Sequence, residues 1–83
     1  MARFFFDIDD GERLFVDNEG TECRDLEAAI TEAVAVLPEL ARDRVRGGDQ
    51  RDLVATVRHE RGQPLFRARL SLTTERLDGA AGA

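Results

Sequence analysis

Two kinds of hydrophobic pattern divide the chain. Residues 3–8, 12–16, 53–59 and 65–72 mix aromatic, branched and other apolar residues with charged ones, as strands do. Residues 26–46 instead carry apolar residues every three or four positions, which is typical of an amphipathic helix. The order β-β-α-β-β predicts a single-domain α+β fold, in which one helix packs on one face of a four-stranded, mostly antiparallel sheet.

The first two strands are predicted to form a hairpin. Asp9-Asp10-Gly11 is a turn signal, and a three-residue loop with Gly11 in the left-handed conformation is common. This loop sets Phe6 opposite Leu14, Phe5 opposite Phe15, and Asp7 opposite Arg13. Since opposed residues share a face, the core face carries Phe4, Phe6, Ile8, Leu14 and Val16. The other face carries Phe5, Phe15 and an Asp7–Arg13 charge pair.

The helix is bounded by recognisable signals. Asp25 is predicted to be the N-cap, and Gly47-Gly48 to end the helix after Arg42, Arg44 and Arg46. Its apolar stripe consists of Leu26, Ile30, Ala33, Leu37, Leu40 and Ala41. Pro38 conflicts with this pattern, because proline removes one helical hydrogen bond and crowds the preceding turn. A kink or break near Leu37 is therefore expected.

The last two strands are predicted to form a second hairpin. A tight turn at Arg61-Gly62 sets Val57 opposite Phe66, Ala55 opposite Ala68 and Leu53 opposite Leu70. Val54, Thr56, Arg58, Leu65, Arg67 and Arg69 then lie on the other face. No periodicity follows, so the domain is expected to span residues 1–72 and a flexible tail residues 73–83.

One helix can cover only one side of such a sheet, so the outer side is the candidate functional surface. Its predicted interface residues are Phe5, Arg13, Phe15, Val54, Arg58, Leu65, Arg67 and Arg69. Aromatic residues and arginines are enriched in protein interfaces, which favours a homodimer or other homo-oligomer. The alternatives are a platform for single-stranded nucleic acid and a monomer with a half-solvated sheet.

Composition narrows these alternatives. The 83 residues have a net charge of −5, which argues against nucleic acid as the main partner. Cys23 is the only cysteine, so an internal disulfide is excluded and a reducing cytoplasm fits best. The apolar run near the N-terminus is too short for a signal peptide or a membrane span.

Catalytic or metal chemistry has little support in the sequence. The acids of residues 17–27 lack the spacing of a calcium loop and are interpreted as the approach to the helix. His59 has no cysteine or histidine at zinc-ligand spacing, and a Cys23–His59 nucleophile pair has no oxyanion loop to support it. We expect a protein that is not an enzyme and needs no cofactor.

The chain resembles the DUF6894 family of small bacterial proteins of unknown function. That family opens with an aromatic strand and a D-G turn, then runs D-x-E-G into a D-L-E-x-A helix start, as here in "DNEGTECRDLEAA". The matching positions are Phe5, Phe6, Asp10, Gly11, Asp17, Glu19, Gly20, Asp25, Leu26, Glu27, Ala28, Ala29 and Gly62. Pro38 and His59 depart from the pattern. The resemblance implies the fold and no activity.

A more distant analogy is the antitoxin half of HicAB toxin–antitoxin systems, which also looks like two strands before a "DLEAA"-type helix start. The analogy implies that the domain would bind and inhibit a small basic RNase, and the acidic charge of this chain is compatible with that role. The sequence contains no obvious DNA-binding segment of the kind that some such antitoxins carry.

Overall fold

The structure, a computed structural model, describes residues 1–44, 50–75, 77 and 78. Its elements are β1 (Ala2–Asp9), β2 (Leu14–Phe15), β3 (Thr21–Cys23), α1 (Leu26–Arg44), β4 (Gln50–His59) and β5 (Pro64–Thr73). The described strands form one antiparallel sheet, with α1 packed on one face. The predicted α+β class is therefore confirmed, whereas the predicted count of four strands was one too low.

The sheet places β1 and β4 side by side at its centre. β5 forms one edge next to β4, while β2 and β3 share the other edge. β3 pairs with the start of β1 at Ala2–Phe4, and β2 pairs with its end at Ile8–Asp9. β3 lies in the stretch that was predicted to be the approach to the helix, because three residues among acids carry too little pattern to indicate a strand.

The register of the first hairpin differs from the prediction. Ile8 pairs with Phe15 and Asp9 with Leu14, so the loop has four residues and not three. Asp10 holds this loop: its Oδ1 accepts the amides of Glu12 at 2.9 Å and Arg13 at 2.8 Å, and its own amide donates to the Arg13 carbonyl. The shift changes the parity of the pairing, so every β2 side chain lies on the face opposite to the predicted one.

The second hairpin has the predicted register, with Val57 opposite Phe66, Ala55 opposite Ala68 and Leu53 opposite Leu70. Gly62 adopts a left-handed φ of 93° in the turn, and its amide donates to the His59 carbonyl at 2.7 Å. β5 ends at Thr73, one residue beyond the predicted end of the domain. Residues 74, 75, 77 and 78 belong to no helix or strand, and the rest of the predicted tail lies outside the described residues.

The helix begins as predicted. Asp25 is its N-cap, since Asp25 Oδ1 accepts the Ala28 amide at 2.9 Å. The helix runs continuously through Pro38 to Arg44, so of the kink or break expected near Leu37 the break does not occur. The predicted stop at Gly47-Gly48, with Arg46, lies outside the described residues.

The core lies between α1 and the two central strands. Ala29, Ala33 and Leu37 form the most buried stripe of the helix, and the two alanines allow a close approach to the sheet. The remaining buried apolar residues are Phe4, Cys23, Leu53, Ala55 and Val57. Within the part of the chain that the structure describes, no helix is long and apolar enough to cross a membrane.

Candidate interface on the outer sheet face

The surface of the sheet opposite α1 is here called the outer face. It is set by the strand registers, because residues that alternate with the core residues of β1, β4 and β5 point away from the helix. Its members are Phe5, Asp7, Asp9, Leu14, Asp52, Val54, Thr56, Arg58, Leu65, Arg67 and Arg69. A shallow concavity of about 360 Å³ lies between the β1–β2 side and β5 of this face.

The structure brings six of the eight predicted interface residues onto this face: Phe5, Val54, Arg58, Leu65, Arg67 and Arg69. The other two lie elsewhere. Phe15 is opposite Ile8 and therefore lies on the helix side of the sheet, and Arg13 lies in the hairpin loop. Leu14 takes the place expected for Phe15, and its side chain is 62% exposed. Leu14-Phe15-Val16 is apolar throughout, so its pattern alone could not indicate which residue faces outward.

Arg58 is held within the domain by a two-point ion pair. Its Nε donates to Asp7 Oδ2 at 2.6 Å, and one terminal NH2 donates to Asp7 Oδ1 at 3.1 Å and to the Asp17 carbonyl at 2.7 Å. The two side chains are only 20% and 14% exposed. This pair replaces the predicted Asp7–Arg13 pair, since Arg13 is no longer opposite Asp7.

Asp17 fills the gap that β2 and β3 leave along β1. Neither strand pairs with Phe6, and Asp17 Oδ2 instead accepts the Phe6 amide at 3.1 Å. Asp17 Oδ1 accepts the amides of Glu19 and Gly20, each at 3.0 Å, and the Asp17 amide donates to Asp7 Oδ1 at 2.9 Å. Both carboxylate oxygens therefore stabilise a turn, as an aspartate followed three residues later by glycine can do.

Phe5 is enclosed by this turn. The Arg58 guanidinium lies over its ring, 4.9 Å from the centroid, which is a cation–π distance. Gly20, with a φ of 75°, approaches from another side: a Cβ there would lie 3.0 Å from Phe5 Cε2 and 2.8 Å from Arg3 Cγ. Phe5 is thus a half-buried part of the domain and not a free aromatic anchor.

The ionisation of Asp7, Asp17 and Arg58 follows from these contacts. Burial raises the pKa of Asp7, but hydrogen bonds from Arg58 and from the Asp17 amide outweigh it and hold that pKa below 3.8. Burial likewise raises the pKa of Asp17, and the amides of Gly20, Phe6 and Glu19 lower it further than burial raises it. The hydrogen bond to Asp7 raises the pKa of Arg58. All three groups are charged at neutral pH.

The β5 side of the outer face carries the more exposed cations. Arg69 pairs with Asp52 at 3.2 Å and keeps 59% of its side chain exposed, while Arg67 Nε donates to Thr56 Oγ1 at 3.1 Å. Leu65 is the extra residue of a β-bulge opposite Arg58 and is 37% exposed. The β5 arginines are therefore accessible to a partner, in contrast to Arg58.

Cys23 and His59 are not neighbours in the sheet. β1 lies between β3, which carries Cys23, and β4, which carries His59. The two residues pair with β1 at Ala2 and Phe4, so their backbones are about 12 Å apart. Cys23 belongs to the core, where burial raises the pKa of its thiol, and nearby Glu32 and Asp25 raise it further. His59 is exposed, and its Nδ1 accepts the Arg61 amide within the turn. The described residues contain no group of three metal-ligating side chains.

The comparisons with known proteins give one match. Residues 3–71 match the family model described as a domain of unknown function, DUF6894. The chain is a member of the DUF6894 family. Comparisons with curated proteins and with solved structures each found no match.

The geometry gives a structural role to the aspartates and glycines of the DUF6894 motif. Asp10 holds the first turn, Asp17 and Gly20 close the turn against Phe5, Asp25 caps the helix, and Gly62 forms the last turn. The cap and the glycine turns could be predicted from the sequence, whereas the contacts that Asp17 makes across the sheet could not.

Proposed function

We propose that this DUF6894 domain is a non-catalytic cytoplasmic interaction module that self-associates through its outer face. The observation that carries the proposal is the exposure of apolar side chains among charged ones on that face: Leu14 and Leu65 are exposed, and Val54, two strands from Leu14 in the same row, is half-buried. The helix covers only the opposite side of the sheet. A mixture of apolar and charged groups of this kind is typical of non-obligate interfaces.

The charges of the outer face are arranged in a self-complementary way. Val54 pairs with both Asp9 and Arg69, and Leu14 pairs with Asp9, so these four residues form one row across the sheet. Leu14 and Asp9 lie at one end of the row, and Arg69 lies at the other end. A two-fold axis parallel to the strands would place Leu14 and Asp9 of each copy against the β5 side of the other. Each acid would then meet an arginine at the same height along the strands.

Nucleic acid is a weaker candidate on the same observations. Phe5 is the one aromatic residue on the outer face among those described, and its ring is already covered by Arg58. Arg58 is in turn bound to Asp7, so it is not available for a phosphate. Base stacking needs an open ring and phosphate binding needs a free cation, and the centre of this face offers neither.

The mass of the protein in solution tests the proposal. We expect the wild type to elute as a multiple of 9.2 kDa in size exclusion with light scattering and refractive index detection. Leu14→Asp combined with Leu65→Asp should give a folded monomer, because both side chains are exposed in the single chain. Val34→Asp is the matched control, since Val34 is 49% exposed on the helix and lies off the outer face.

Two results would overturn the proposal. One is a wild type that remains a monomer at high concentration, and the other is a double variant that keeps the wild-type mass. The chain has no Trp or Tyr, so absorbance near the nucleic-acid maximum would be easy to see. If such absorbance is present at low salt and is lost at high salt, nucleic acid would replace a second copy of the chain as the proposed partner.

A further inference from the structure

β5 is a long edge strand. It pairs with β4 from Pro64 to Thr73, and no described strand pairs with its other side. Every second residue of an edge strand directs its N–H and C=O away from the sheet, where a further strand can bind them. The opposite edge differs, because β2, β3 and the Asp17 carboxylate divide the edge of β1 between them.

The charged side chains of β5 are all positive. In a chain with a net charge of −5, residues 64–73 contain two arginines and no acid. Arg67 and Arg69 lie on the outer face, while Phe66, Ala68, Leu70 and Leu72 alternate with them on the helix side and are only partly buried. A strand added here would meet cations on one face and apolar groups on the other.

A second copy of β5 centred on the middle of this edge, at Ala68 or Arg69, would be a poor occupant. Antiparallel pairing of two β5 strands about Ala68 would put Arg67 of each copy opposite Arg69 of the other, and pairing about Arg69 would put that arginine opposite itself. Like charges directly opposite each other in a sheet are destabilising. The edge therefore favours a strand of the opposite charge.

We propose that β5 binds an extended segment of a partner protein in which acidic and apolar residues alternate. The segment would add a sixth strand to the sheet, with its acids beside Arg67 and Arg69 and its apolar side chains beside Ala68 and Leu70. Main-chain hydrogen bonds would provide the affinity, and the alternation of acidic and apolar side chains in the segment would provide the specificity. This binding uses the edge of the sheet and does not require self-association through the outer face, but the two share Arg69, which the proposed dimer would place opposite Asp9 of the other copy.

The probe for the test is a labelled, N-acetylated ten-residue peptide of alternating Glu and Val. Fluorescence polarisation should show saturable binding to the wild type, and a Lys–Val peptide should bind about tenfold more weakly or not at all. Arg67→Glu with Arg69→Glu should reverse this preference. Arg42→Glu with Arg61→Glu is the control, because it changes the net charge equally at exposed sites outside β5.

Two further measurements separate strand addition from simple charge attraction. The same Glu–Val peptide, N-methylated at every residue, keeps its charges but cannot donate main-chain hydrogen bonds, and it should lose binding. Amide exchange should slow in residues 64–73 when the unmodified peptide is added. Equal binding of the N-methylated peptide would overturn the proposal. Protection of the amides that β5 directs away from β4 in the protein alone, with no peptide binding, would also overturn it and assign the edge to a second copy.

Discussion

At the residue scale, Gly20 and Asp17 decide how the chain passes from β2 to β3. Asp17 accepts three amides, and Gly20 turns the backbone with a φ that residues with a Cβ rarely adopt. Phe5 and Arg3 pack against Gly20 so closely that even a methyl group would touch them. The turn therefore depends on both the conformational freedom of glycine and its lack of a side chain.

Gly20→Ala should be clearly more destabilising than Gly62→Ala. Both glycines have positive φ, which costs alanine about 1 kcal/mol or more. A Cβ at Gly62 meets nothing within 4 Å, whereas at Gly20 it meets Arg3 and Phe5, and this overpacking adds about 1–3 kcal/mol. Urea unfolding followed by circular dichroism measures both free energies. Equal losses for the two variants would show that the close packing around Gly20 contributes nothing.

At the element scale, α1 contains a proline, which leaves one main-chain hydrogen bond of the helix unformed. Pro38 is exposed and the helix continues past it, although proline cannot donate the main-chain hydrogen bond that residue 38 would make to the Val34 carbonyl. The sequence correctly indicated a conflict at this position. The outcome was decided by packing, because Leu37 and Leu40 on either side of the proline pack against the core.

Pro38→Ala should stabilise the domain. Alanine restores the main-chain donor and has the highest helix propensity, so a gain of about 1–3 kcal/mol in the free energy of unfolding is expected. Glu39→Ala is the control for propensity alone, since Glu39 is the exposed neighbour in the same helix. Thermal unfolding measures both variants. A gain no larger than that of Glu39→Ala would mean that the lost donor has no energetic effect.

The two hairpins show which elements the sequence can specify. In residues 53–57 and 66–70 every second residue belongs to the core or packs against it, so the predicted register places these residues opposite each other on the helix side of the sheet, and the prediction was right. Leu14, Phe15 and Val16 are all apolar, so hydrophobicity alone does not decide which of their side chains face the helix and which face outward. The Asp10 side chain, by binding two loop amides, then selects the four-residue loop.

At the scale of the whole molecule, the Asp7–Arg58–Asp17 cluster ties three parts of the chain together. Arg58 lies on β4, Asp7 on β1, and Asp17 in the turn that precedes β3. When one partner of a largely buried ion pair is removed, the charge of the other partner is left uncompensated, which is strongly destabilising. Loss of one charge is therefore expected to weaken the whole sheet and not one strand alone.

Acid should destabilise the protein through this cluster. The pKa values of Asp7 and Asp17 lie below 3.8 in the folded protein, so the unfolded chain binds protons more readily. Their contribution is complete above the unfolded pKa and is lost as the pH falls through the folded pKa. Urea unfolding between pH ~5 and pH ~2 should show a steeper loss of stability for the wild type than for Asp7→Asn with Asp17→Asn.

The control for the acid experiment is Glu39→Gln with Glu60→Gln, which removes two carboxylates from exposed positions outside the cluster. This variant should follow the wild-type pH dependence. Parallel curves for the wild type and the Asp7/Asp17 variant would instead place the acid sensitivity elsewhere in the molecule.

Local patterns in the sequence were sufficient to predict the class of the fold, the β4–β5 register and the cap of the helix. Each depends on local chemistry: alternation, helical periodicity and an aspartate next to free amides. The sheet order, the short strand β3, the face of Phe15 and the partner of Arg58 followed only from three-dimensional contacts. These contacts join residues far apart in the chain, such as Asp7 and Arg58, which are 51 positions apart and which no local pattern brings together.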